Sequence, residues 1–147
     1  DIEAREEAGT PPILQFIRAS LAYQLRNEIG FEFIKNRKDA LKDLLLSELK
    51  KIPNCEIYGN QDALNIGIVS FNIKGLSPYD LCNKISTNYG FQTRAGCSCA
   101  GPYGHDLLGI EKLDMNNRPG WVRISIHFSQ TKEEIMNLVE SIKKVLD

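Results

Sequence analysis

The sequence predicts a small α/β domain of the α+β type, with one mainly antiparallel sheet and helices packed on a single face. Three observations predict it. Four segments place apolar residues at helical spacing. Two strand segments alternate apolar and polar residues. The apolar halves of those strands suit one shared core face, which is how a sheet covered by helices reads. At 147 residues the chain suits one compact domain.

The elements follow in order. Pro11 and Pro12 suit a first helical turn, with Thr10 as its N-cap, while Asp1 starts no capped element. Leu14, Ile17, Leu21 and Leu25 form the apolar stripe of the first helix, read as a core face, and Gly30 ends it. A second helix over 31–52 carries Ile34, Leu41, Leu44, Leu45 and Leu49. Pro53-Asn54 breaks it. A short strand covers 55–58, a turn 59–62, and a stronger strand 66–73 has Val69, Phe71 and Ile73 on its apolar side.

Ser77-Pro78-Tyr79-Asp80 reads as a capped helix start, with Leu81, Ile85 and Cys82 toward the core. A strand over 91–94 leads into Arg94-Ala-Gly-Cys-Ser-Cys-Ala-Gly-Pro-Tyr-Gly-His105, read as a glycine-rich loop. The stretch 106–119 reads as irregular, with a turn at 116–120. A strand over 121–128 alternates Val122, Ile124, Ile126 and Phe128 against Trp121, Arg123, Ser125 and His127. Thr131-Lys-Glu-Glu134 is a capping box, and Ile135, Leu138, Val139, Ile142 and Val145 line the last helix. The polar sheet face gathers Ser70, Asn72, Gln92, Arg94, Arg123, Ser125 and His127, either open to water or closing over a ligand held elsewhere.

The net charge of −1 offers no general attraction to nucleic acid or anionic membrane. No apolar run is long enough to span a bilayer, and no signal peptide is visible. Cys55, Cys82, Cys97 and Cys99 are too few for a disulfide framework and read as reduced thiols of a cytoplasmic protein. The chain opens on Asp1 rather than methionine and reads as a piece of a longer one.

The chemistry concentrates in 94–105. Thiolate is the reactive form of cysteine, and nearby cations favour it. Cys97 and Cys99 stand beside Arg94, with His105 within a loop's reach. Three chemistries stay open on these residues. One is a nucleophilic sulfur at Cys99 or Cys97. Another is a zinc site on Cys97, Cys99 and His105, although structural zinc sites pair such clusters. The last is a Cys97–Cys99 redox pair.

Four stretches in order carry a resemblance: 7–11 (Glu-Ala-Gly-Thr-Pro), 67–72 (Gly-Ile-Val-Ser-Phe-Asn), 94–100 (Arg-Ala-Gly-Cys-Ser-Cys-Ala) and 123–129 (Arg-Ile-Ser-Ile-His-Phe-Ser). Together they resemble the C-terminal part of class V aminotransferase-like enzymes, in the cysteine desulfurase and selenocysteine lyase branch. The resemblance implies the small C-terminal domain of a fold-type I pyridoxal-phosphate enzyme, homodimeric when full length. Residues 1–10 would come from the large-domain boundary, and 11–147 would form the small domain. The cofactor would be bound mainly by a large domain absent from this chain.

The substrate implied is an amino acid such as cysteine or selenocysteine, and a protein could accept the sulfur. Cys99 matches the sulfur-accepting cysteine, with Cys97 as a second thiol. Arg123 matches the arginine that grips the substrate carboxylate, and Arg94 the supporting arginine of the loop. Thr10 matches a residue that reaches the cofactor phosphate of the partner subunit. In the family's pattern two histidines stand where this chain has Cys97 and Ser98. The alternatives are a class V aminotransferase or lyase that leaves the cysteine unused, and a stand-alone thiol-redox or binding module.

Overall fold

The computed structural model describes residues 1–7, 9–99, 101–111 and 118–146. The chain forms two compact units, Asp1–Asn36 and Arg37–Asp147.

The first unit holds α1 (Ile2–Glu6), α2 (Ile13–Ile29) and the start of α3 (Phe31–Leu49). α1 is unexpected from the sequence, yet Asp1 caps it: Oδ1 accepts from the Glu3 amide at 3.1 Å. Thr10 is not the cap of α2. That position falls to Pro12, with no side-chain cap bond, because Pro11, which precedes Pro12, is held out of the helical region and cannot start the first turn. Nor does α2 bury a core face: Leu14, Ile17, Leu21 and Leu25 are all more than half exposed. Gly30 ends α2, as expected, at φ 91°.

The second unit carries the sheet. Its strands are β1 (Cys55–Tyr58), β2 (Ile68–Ile73), β3 (Arg94–Gly96) and β4 (Trp121–Ser125), in the order β1-β2-β4-β3 and antiparallel throughout. The other helices are α4 (Pro78–Tyr89), α5 (Gly101–Leu107) and α6 (Lys132–Leu146). Val69 opposes Ile124 and Phe71 opposes Val122, so the apolar halves of β2 and β4 share a face. Leu41, Leu45 and Leu49 of α3, Leu81 and Ile85 of α4, and Ile135, Leu138, Val139 and Ile142 of α6 join them in one core. Their spacing of three and four residues is that of a single helix face. The capping box of α6 forms in both directions, Glu134 amide to Thr131 Oγ1 at 3.1 Å and Thr131 amide to Glu134 Oε2 at 2.6 Å. Those bonds hold the exposed Glu134 carboxyl below its ordinary pKa.

Several boundaries differ from the sequence reading. The second helix ends at Leu49, and Ile52 reaches the core from a turn. β2 starts at Ile68 because Asn65 Oδ1 accepts from the amides of Gly67 (2.7 Å) and Ile68 (2.8 Å), turning the chain first. β3 is 94–96 rather than 91–94, since Phe91 is drawn against the core and leaves 91–93 as a connector. β4 stops at Ser125, where Gln130 Oε1 takes the His127 amide in place of a strand partner. Ser77 takes the N-cap position of α4, but its hydroxyl makes no cap bond. The glycine-rich segment is not all loop: its second half is α5, and Pro102 fits its first turn. α5 also departs from the one-face arrangement. It lies against Trp121, which points to the face opposite the core. Of the turn expected at 116–120, Asn116 and Asn117 lie outside the described residues. Among the described residues no helix is long and apolar enough to cross a membrane.

Candidate active-site face

The register sets the polar face. Tyr58 opposes Ser70, Ser70 opposes Arg123, and Arg123 opposes Arg94, one row across all four strands. Directly opposed residues share a face. Arg123 is half-buried, and its Nε is shut from solvent without a hydrogen-bond partner. A planar guanidinium with an unused donor fits a carboxylate. Trp121, two residues earlier on the same face, is 7% exposed and lies tilted against Tyr58 with ring centroids 6.5 Å apart.

β3 runs from Arg94 straight into the cysteine turn. Ser98 and Cys99 both adopt left-handed backbone, at φ 52° and 67°, a conformation that side chains resist. Successive left-handed residues curl the chain back, and the Arg94 Nη2 donates to Cys99 Sγ at 3.3 Å. Cys99 is exposed. A guanidinium bonded to an accessible sulfur fixes the direction in which that sulfur points.

Cys97 has a different setting. It is half-buried, and its Sγ donates to the Pro119 carbonyl at 3.6 Å. A β-carbon added to Gly104 of α5 would lie 3.0 Å from Cys97 Sγ and 3.2 Å from the Trp121 ring, so glycine is needed for this close approach. Ser98 Oγ is buried and unpartnered. Cys55 and Cys82 border the core. Burial pushes the Cys55 thiol up to about 11. Burial also raises Cys82, against a smaller lowering by the Thr93 hydrogen bond. All four cysteines are free thiols.

The segment leading into β4 is stitched on several sides. Asn72 Nδ2 donates to the Gly120 carbonyl at 2.8 Å and to Tyr58 Oη at 3.2 Å. Tyr79 Oη donates to the Pro119 carbonyl at 3.4 Å. A β-carbon on Gly120 would meet Gly96 Cα at 2.5 Å, so the backbones of the two segments touch. The strand carrying Arg123 is thereby fixed to the turn carrying Cys99.

The structure thus brings Arg94, Arg123 and Cys99 to one region. Thr10 is exposed in the first unit. His105 sits half-buried on α5. Among the described residues, no three His, Cys, Asp or Glu side chains cluster to hold a metal ion. Sequence reasoning missed Asn72, Tyr79 and Gly120 as the stitches. Alternation placed Asn72 on the polar face, but the bond it makes depends on a segment 48 residues away.

Residues 1–138 match the sequence profile of the class-V aminotransferases. The chain belongs to that family. Two curated relatives are similar to this class-V chain over nearly its whole length. It is 33% identical over 146 residues to a probable cysteine desulfurase of Methanothermobacter thermautotrophicus, covering 99% of the chain and 34% of that protein. It is 31% identical to a cysteine desulfurase of Haloferax volcanii, covering 97% of the chain and 31% of that protein. Among solved structures, the apo cysteine desulfurase of Thermococcus onnurineus superposes with a TM-score of 0.83 at 27% identity, over 96% of this chain and 33% of that one. A cysteine desulfurase of Escherichia coli, solved as its S-sulfonic acid form, gives 0.80 at 25%, over 95% and 32%. The class-V chain therefore spans about a third of the length of the relatives it matches.

Proposed function

We propose that this chain is the C-terminal small domain of a pyridoxal-phosphate-dependent cysteine desulfurase, with 1–10 coming from the large-domain boundary. The observation that carries the proposal is the Arg94–Cys99 contact on the same sheet face as Arg123. Arg123 holds the carboxylate of an amino acid such as cysteine or selenocysteine, which would satisfy its unpartnered Nε. Cys99 takes the substrate sulfur: cysteine and the Cys99 thiol become alanine and a Cys99 persulfide. Arg94 holds the Cys99 sulfur in place for this attack. A sulfur-acceptor protein would reach the persulfide readily, because Cys99 is exposed.

The cofactor does not fit within either unit alone. None of the four strands carries a lysine, and the polar face offers arginines, hydroxyls and one indole. In this reading pyridoxal phosphate, which supplies the electron sink for the substrate, is seated by the rest of a full-length homodimer, with Thr10 reaching the phosphate of the partner subunit. The chain alone is therefore inactive. A visible absorbance band that survives gel filtration and disappears on borohydride reduction would overturn that statement.

The function is tested on the full-length protein. Cys99→Ala should abolish persulfide formation from cysteine; persulfide retained on that variant would sink the sulfur role. Amino-group transfer to a keto acid without persulfide would instead assign the protein to the aminotransferase or lyase reading.

A further inference from the structure

We infer that Cys97 is a positioning residue rather than a second nucleophile: its side chain is the strut that holds the left-handed turn so that Cys99 meets Arg94. Two cysteines two residues apart look equivalent in sequence, yet their settings differ. Cys99 is exposed and bonded to a guanidinium. The Cys97 sulfur is turned toward the protein and donates to a backbone carbonyl. It packs so tightly on Gly104 that an added methyl there would stand 3.0 Å from both Cys97 Cβ and Sγ.

Something has to hold this turn. Ser98 and Cys99 both sit in a backbone region that non-glycine residues leave when nothing restrains them, and the Ser98 hydroxyl gains no hydrogen bond there. The restraint on the near side is Gly96, whose backbone abuts Gly120. In the turn itself it is the Cys97 side chain, packed on Gly104 of α5 and bonded to Pro119. An S–H···O bond is weak alone, but here it acts with close packing on Gly104. If the strut is removed, Ser98 and Cys99 can relax toward ordinary backbone, and Cys99 Sγ moves away from Arg94. The sulfur then loses its hydrogen-bond donor and its fixed direction.

The turn and its thiol are the same whatever reaction the full-length protein performs, so the test needs no cofactor and no turnover. The intact chain is treated with iodoacetamide at neutral pH, and labelling of each cysteine is followed by mass spectrometry. In the unmodified chain Cys99 labels first. Cys97→Ala should slow Cys99 labelling by about tenfold, the scale of losing one hydrogen bond to a charged group. Cys97→Ser, which keeps a donor, should recover most of the rate. Gly104→Ala, which presses on the strut without removing it, should slow Cys99 as well. Cys55 and Cys82 report the fold internally, because burial keeps their thiols protonated and slow.

An unchanged Cys99 rate in Cys97→Ala, with Cys55 and Cys82 still slow, overturns the inference. So does a Cys97→Ser rate as low as that of Cys97→Ala, or a Cys97 that labels as fast as Cys99 in the unmodified chain. Should Cys97→Ala fail to fold, Gly104→Ala decides alone, and an unshifted Cys99 rate in that variant overturns it.

Discussion

Arg94 and Arg123 stand directly opposite each other across β3 and β4, two like charges in one register row. Direct opposition of like charges disfavours a sheet, and Arg123 Nε is also buried without a partner. This pair is better explained by binding than by folding. Arg123→Met should therefore leave the isolated chain as stable as before, or stabilise it by about 1 kcal/mol. Urea denaturation measures this. A loss of more than about 1 kcal/mol would make Arg123 a structural strut. The carboxylate-binding role proposed for Arg123 carries a second expectation: in the full-length protein the same substitution should raise KM for cysteine.

Alkaline pH should weaken the second unit. Burial lifts the Cys55 thiol from its ordinary 9.0 to about 11. The folded pKa lies above the unfolded one, so the contribution is complete below about pH 9 and is lost as pH rises through about 11. Cys82 and Tyr58 are raised too, chiefly by burial, and act in the same direction. The urea midpoint should fall across this window. Cys55→Ala should fall less steeply, and equal slopes would remove Cys55 from the explanation.

Gly120→Ala places a methyl 2.5 Å from Gly96 Cα, where only backbone can yield. The expected cost is about 1–3 kcal/mol, as for other overpacked sites. Thermal unfolding of the variant checks it. A wild-type melting temperature would show that β3 can move away from β4 freely.

Leu45 and Leu21 occupy similar stripes in sequence but not in structure. Leu45 has 0% exposure and Leu21 59%. Leu45→Ala should cost about 3 kcal/mol, and Leu21→Ala well under about 1 kcal/mol. Equal losses in denaturant titrations would contradict the exposure of α2.

Those two leucines also mark what a sequence can disclose. Periodicity identified α2 and α3 as helices with apolar faces, because helical spacing is a local property. What covers such a face is not local, so the exposure of Leu21 beside the burial of Leu45 could not be read from their stripes. Alternation in β2 and β4 placed Arg123 and Asn72 on the polar side, because side chains alternate in any strand. The row joining Arg123 to Arg94 required a register, and register is decided by pairing between distant segments. α5 was hidden by its own glycines and proline, which fit a loop as well as a first helical turn. The contrast between Cys97 and Cys99 was hidden too, since it depends on Pro119 and Gly104.

The two left-handed residues of the cysteine turn have a stereochemical consequence. Their backbone is the one a D-amino acid adopts without strain. A semisynthetic chain with D-serine at position 98 should keep the turn and relax it. D-cysteine at position 99 should keep the same backbone but carry its sulfur on the other branch of the α-carbon, away from Arg94. The direction of the thiol is thus written in the handedness of a single centre.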